Sequence, residues 1–126
     1  MNEVYILGAA RTVIGSYGGA LAKVPAIEFG KKSVEKSIQK SKASEDDIES
    51  IVFGNVISAN VGQAPARQVS KAAGLPDSVC ATTINKVCAS GMKAISVLAN
   101  DIKVGNVAIG IAGGMESMSN IPHYVP

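Results

Sequence analysis

Four short apolar runs alternate with three segments of helical periodicity, and this alternation constrains the fold more than any other feature. The runs lie at 4–10, 51–58, 79–87 and 107–112. Between them, one helix opens at Pro25 and turns Ile27, Val34 and Ile38 to one side and mostly charged residues to the other. A second begins near 63–65 and stops at Gly74, with Pro76 just beyond. A third carries Met92, Ile95, Leu98 or Ala99, and Ile102 at three- to four-residue spacing and ends at Gly105. The order β-α-β-α-β-α-β predicts an α/β fold, a mostly parallel sheet with helices on both faces. The continuous run at 4–10 predicts a strand buried on both sides. Ser44 with Asp47 predicts a capping box for a short turn.

At 126 residues the chain suits one domain, and 47% apolar with 17% charged residues argues for a packed core rather than disorder. A net charge of +2 gives no reason to expect nucleic acid or an anionic membrane as partner. No apolar run reaches the length of a membrane span, and the sequence runs from Met1 straight into the first apolar stretch without the look of a leader. The cytoplasm is the expected location, with mitochondria and peroxisomes as alternatives. Cys80 and Cys88 lie about 25 Å apart if the segment between them is extended, too far for a disulfide. Cys80 reads as a strand residue. The glycine-rich stretch 15–19 matches neither dinucleotide nor nucleotide phosphate motifs and reads as a loop.

Cys88 falls where the third strand turns into the third helix, followed by Ala89, Ser90 and Gly91, small enough for a sharp bend and a close approach. A helix N-terminus presents unpaired N–H groups and partial positive charge, which favours a thiolate able to attack a carbonyl or thioester. The arrangement parallels the nucleophile elbow of serine hydrolases. The other reading, a small buried hydrophobe, stands beside it on spacing alone. Arg67 reads as a member of a structural hydrogen-bond network rather than a catalytic group. His123, the one histidine, lies in an irregular tail and reads as an exposed or packing residue. Met115 and Met118 read as loop packing.

The segment Asn85-Lys86-Val87-Cys88-Ala89-Ser90-Gly91-Met92-Lys93-Ala94-Ile95 resembles the nucleophile segment of the thiolases. Three more blocks agree in order. They are Ala10-Arg11-Thr12-Val13-Ile14-Gly15-Ser16-Tyr17-Gly18-Gly19, Gly62-Gln63-Ala64-Pro65-Ala66-Arg67-Gln68, and Gly113-Gly114-Met115-Glu116-Ser117-Met118-Ser119-Asn120. The resemblance spans essentially the whole chain and is nearer to the short-chain, biosynthetic acetoacetyl-CoA thiolases than to those of β-oxidation.

That resemblance implies the N-terminal half of a thiolase fold. Residues 1–118 would form the domain, without its fifth strand, and 119–126 the start of a loop insertion. It implies an acyl-CoA acyltransferase that condenses two acetyl-CoA into acetoacetyl-CoA and CoA, reversibly, through an acyl-cysteine on Cys88. The Cys88 N–H would help to hold the developing oxyanion. Coenzyme A thioesters would be substrates, with no separate cofactor and no metal. The family's activating histidine, second cysteine and oxyanion-water asparagine have no counterpart here, and most CoA-binding residues lie beyond the matched region. These 126 residues by themselves are therefore expected to be inactive. A homo-dimer or tetramer is implied, its two-fold axis crossing the third strand. Two alternatives remain. One is another thiolase-superfamily enzyme, a 3-ketoacyl-CoA thiolase or a condensing synthase. The other is a truncated, non-catalytic dimerisation module.

Overall fold

The computed structural model describes residues 1–125. Among them three strands, β1 (Ser50–Gly54), β2 (Cys80–Ile84) and β3 (Gly110–Gly114), alternate with the helices α1 (Ala26–Ser41), α2 (Pro65–Ala72) and α3 (Ser90–Val104). All three strands are parallel, in the order β2-β1-β3, with Ser50 opposite both Cys80 and Gly110. The expected parallel sheet covered on both faces is thus present.

The pleat of the central strand sorts the core. Ile51 and Phe53 point to the side that α1 and α2 cover, where Val34, Ile38, Ala66, Val69 and Leu75 pack around them. Val52 points the other way, onto Ala94 and Leu98 of α3. Every residue of β1 is buried, as a middle strand between two helical layers requires. Gly54 lets α3 settle onto the strand's end: a Cβ there would lie 2.7 Å from Cβ of Ser90 and 2.9 Å from the Gly91 nitrogen.

Punctuation in the sequence is realised in the expected places. Gly105 closes α3 in the left-handed region at φ 83°, its N–H reaching the Asp101 and Ile102 carbonyls. Ser44 and Asp47 form a reciprocal capping box around a 3-10 turn at Glu45–Asp47. Pro25 is the residue before α1 rather than inside its first turn.

Three expectations are corrected. Residues 4–10 form no strand, and they are not buried: Tyr5 and Ile6 are 71% and 84% exposed. A strand needs a ladder partner, and the segment instead runs past α1, held by Ser37 Oγ on the Gly8 carbonyl and Lys40 Nζ on the Ala9 carbonyl. Between this segment and the β3–α3 layer lies a slot of about 1020 Å³. The fourth apolar run becomes strand at Gly110–Gly114 instead of 107–112. Its glycines make room for neighbours, since a Cβ on Gly113 would fall 2.6 Å from the Phe53 ring and one on Gly110 2.8 Å from Leu98. The strands expected over 51–58 and 79–87 end early, at Gly54 and Ile84, because the chain beyond leaves the sheet for the loops that build the site.

Candidate active site: the elbow around Cys88

β2 ends at Ile84 and α3 starts at Ser90, and Cys88 sits in the turn between them, free and exposed beyond the carboxyl end of the parallel sheet. That is the side on which open α/β sheets bind ligands. Within these residues Cys88 does not pack in the core. Cys88 lies two residues before the first helical residue, at the foot of α3 rather than within its first turn.

The turn is held strained. Val87 adopts φ 50°, one of four non-glycine residues with positive φ among the described residues and the only β-branched one of them. Such a conformation costs on the order of 1–3 kcal/mol and persists only where the surroundings over-determine it. Here they do. The Val87 N–H donates to Asn85 Oδ1 at 2.9 Å, while its carbonyl accepts from Ser90 Oγ at 2.6 Å and from the Ser90 N–H at 3.1 Å. Ser90 Oγ also accepts the Lys86 N–H at 2.8 Å. Both peptides around Val87 are therefore fixed, and with them the direction in which Cys88 leaves the turn. Among the described residues the Cys88 N–H has no hydrogen-bond partner, so it remains available as a donor.

A second loop lies against the elbow. Asn85 Nδ2 donates to the Val56 carbonyl at 3.0 Å, tying the elbow to the chain that follows β1. That chain in turn closes on Glu116, just past β3. Its carboxylate accepts the Val56 N–H at 2.9 Å, the Ile57 N–H at 3.1 Å and Asn55 Nδ2 at 3.0 Å. The three loops at the carboxyl ends of three neighbouring strands thus form one polar assembly. Asn55 is buried and its Oδ1 has no partner among the described residues, leaving an acceptor suited to an ordered water.

Of the residues singled out by sequence, Cys88 alone takes its place at this centre. Cys80 begins β2 on the sheet's outer edge and is exposed, a strand residue as read but not an interior one. Arg67 is structural, as read: Nη1 donates to the Val79 carbonyl at 2.8 Å and Nη2 to the Asp77 carbonyl at 3.0 Å. Lys71, hydrogen-bonded to Asp77 at 2.6 Å, holds that carboxyl below the usual aspartate range by its hydrogen bond and charge, with Arg67 adding to the effect. His123 is exposed in the tail. Met115 is buried against the α1 face of the core while Met118 is largely exposed. Asn85, Ser90 and Glu116 were legible only as members of motifs; their bracing role depends on partners that no local spacing announces. No group of three or more acidic, histidine or cysteine side chains gathers at metal-binding distance among the described residues.

Comparison with known proteins agrees with this geometry. Residues 4–126 match the family described as thiolase, N-terminal domain. An acetyl-CoA acetyltransferase of Yarrowia lipolytica is 52% identical over 98% of this chain and 31% of the relative. The protein named "Acetyl-CoA acetyltransferase ERG10, cytosolic" in Gibberella zeae is 49% identical over 100% of this chain and 32% of its own length. The crystal structure of Acat5 thiolase from Ascaris suum in complex with coenzyme A superposes with a TM-score of 0.95 at 46% identity, covering 97% of this chain and 32% of that one. The chain thus spans about a third of the length of the relatives it matches. With a strained cysteine elbow at the carboxyl end of a parallel sheet and a family match over nearly every residue, the chain belongs to the thiolase family, as its N-terminal domain.

Proposed function

We propose that this chain supplies the nucleophile of an acetyl-CoA C-acetyltransferase, with Cys88 as the group that is acylated. The observation that carries the reading is the elbow itself: an exposed cysteine behind a positive-φ valine whose strain is held by three hydrogen bonds. Strain of this kind is maintained where a side chain must be presented in one direction. Relatives named acetyl-CoA acetyltransferase supply the substrate class.

The thiolate of Cys88 attacks the carbonyl carbon of a thioester, and the developing oxyanion is met by the Cys88 N–H. Collapse expels CoA as its thiolate, which takes up a proton, and leaves an acyl-cysteine. In the condensing direction a second acetyl-CoA loses a methyl proton to a base, and its carbanion attacks the acyl-cysteine. The Cys88 thiolate is released and acetoacetyl-CoA departs. The thiolytic direction reverses each step. The base and most CoA contacts belong to parts of a thiolase outside these 126 residues, so the chain alone should turn over no acetoacetyl-CoA.

Two features favour assembly. β2 is an outer strand with Cys80 and Thr82 exposed, and its free edge suits pairing with the same strand of a second copy across a two-fold axis. On the opposite side, the open edge of β3 and the unpaired segment 4–10 flank the slot, which suits the fifth strand of the complete fold. Residues 119–126 would then begin the loop insertion. No helix among the described residues is long and apolar enough to cross a membrane, and a cytoplasmic location is supported by the relative named as cytosolic.

A hybrid protein tests the proposal: these 126 residues replace the corresponding third of a complete thiolase. The hybrid should cleave acetoacetyl-CoA with CoA, and Cys88→Ala should abolish turnover while leaving the oligomer intact. Turnover retained in Cys88→Ala would overturn the proposal.

A further inference from the structure

Glu116 stands 28 residues beyond Cys88 and shares no hydrogen bond with it, yet a continuous path of hydrogen bonds runs from its carboxylate to Val87, the residue that enters Cys88. The path begins at the carboxylate, which accepts three donors from the 55–57 loop at 2.9, 3.0 and 3.1 Å. An ionised carboxylate is the side chain that can accept all of them at once, because it has two acceptor oxygens and no donor. These bonds fix the Val56 peptide. The Val56 carbonyl then accepts Asn85 Nδ2 at 3.0 Å, which fixes the Asn85 amide with its Oδ1 turned to the Val87 N–H at 2.9 Å. That last bond is the Asx turn that holds Val87 at φ 50° and so aims the peptide entering Cys88.

Resting on the reading of Cys88 as the nucleophile, we propose that Glu116 and Asn85 are positioning residues for Cys88, acting through the Val56 peptide. Glu116 touches no reacting atom. It makes the 55–57 loop a rigid shelf, and Asn85 transmits the shelf's position to the elbow. Each amide in the path uses donor and acceptor toward different partners, so every link is polar-directional. Gln at 116 would put an NH₂ against an N–H donor and lose at least one bond. Ala at 85 would cut the path in its middle while leaving both loops otherwise intact.

Cys80 provides an internal reference, because it lies on β2 outside the path and is exposed in the single chain; one fixed protein concentration keeps any pairing of β2 edges the same in every variant. Alkylation of both cysteines by iodoacetamide is followed by mass spectrometry on the intact 126-residue chain across pH 6–10, for the native sequence, Glu116→Gln, Asn85→Ala and the double variant. The ratio of the Cys88 rate to the Cys80 rate should fall by about fivefold in each single variant, the factor equivalent to one typical net hydrogen bond, and its pH profile should change for Cys88 alone. The double variant should fall no further than either single one, since both act on the same path. An unchanged ratio in both single variants would overturn the proposal, as would additive losses in the double. If Glu116→Gln does not fold, Asn85→Asp decides: it keeps the acceptor for the Val87 N–H but loses the donor to Val56, and it should show the same fall. Equal acceleration of both cysteines in that variant would mark general loosening and count against the proposal. Whether Cys88 is acylated by a thioester is read separately in the hybrid enzyme, so failure of the catalytic reading and failure of the path give different results.

Discussion

Replacing Gly54 by alanine should unseat the elbow from beneath, without touching it. Gly54 is the last residue of β1, paired with Ile84 and Gly114 on either side, and the start of α3 rests directly on it. A Cβ there would meet Cβ of Ser90 at 2.7 Å, the Ser90 carbonyl carbon at 2.8 Å and the Gly91 nitrogen at 2.9 Å. Two of those atoms are backbone, so no rotamer change relieves the clash. Ordinary contact begins at 3.4 Å, so the helix start must retreat by about 0.7 Å, an overpacking that costs on the order of 1–3 kcal/mol. Ser90 carries the two bonds that brace Lys86 and Val87, and it would take them with it. Urea unfolding of the chain should therefore show a lower midpoint with an unaltered slope, and the ratio of the Cys88 to the Cys80 alkylation rate should fall. Gly74→Ala is the control. Its site has φ 80° and open space, so alanine should cost about 1 kcal/mol through backbone strain yet leave Cys88 unaffected. Gly54→Ala with native stability and native Cys88 reactivity would refute the packing argument.

Val87→Gly should relieve strain, raising stability by about 1 kcal/mol in urea unfolding, while the ratio of the Cys88 to the Cys80 alkylation rate declines because glycine no longer confines the turn. Lys71 holds the Asp77 carboxyl below its usual range, so the pair adds stability above the unfolded aspartate value, and that contribution is lost as pH falls through the lowered folded value. Thermal midpoints taken from pH 6 down to pH 2 should accordingly converge between the native chain and Asp77→Asn at the acid end, by a small amount because the carboxyl is exposed. Amide exchange over residues 4–10 should be fast beside that of Ser50–Gly54, because the former have no ladder and the latter are bonded on both sides.

What was legible in the sequence is what local chemistry decides. The extent and terminal glycine of α3, the Ser44–Asp47 capping box and the place of Cys88 between strand and helix all depend on residues a few positions apart. The expected stripe of α3 is realised only in its second half: Leu98 and Ile102 pack on the sheet, whereas Met92 and Ile95 are exposed and Ala94 takes the buried place one turn before Leu98. Arg67 was legible as structural because a cation early in a short helix readily finds nearby carbonyls, here those of Asp77 and Val79. The misreadings are tertiary. An apolar run such as 4–10 becomes a strand only where an edge is offered to it, and β3 stands across a slot from it. The boundaries of β3 follow from Phe53 and Leu98, side chains of other elements that need the space glycine leaves at 113 and 110. Glu116 could be read as part of a motif but not as a brace, since its three donors lie some sixty residues upstream.

The central claim is that Cys88 is the residue acylated by a thioester. The most direct measurement is to mix the hybrid thiolase with acetyl-CoA, quench in acid within the first turnovers, and locate the acetyl group by peptide mass spectrometry. The account predicts a thioester-linked acetyl on the peptide containing Cys88, removed by added CoA, with none on Cys80. Acetyl on Cys80, or turnover with no acetyl ever found on Cys88, would contradict it.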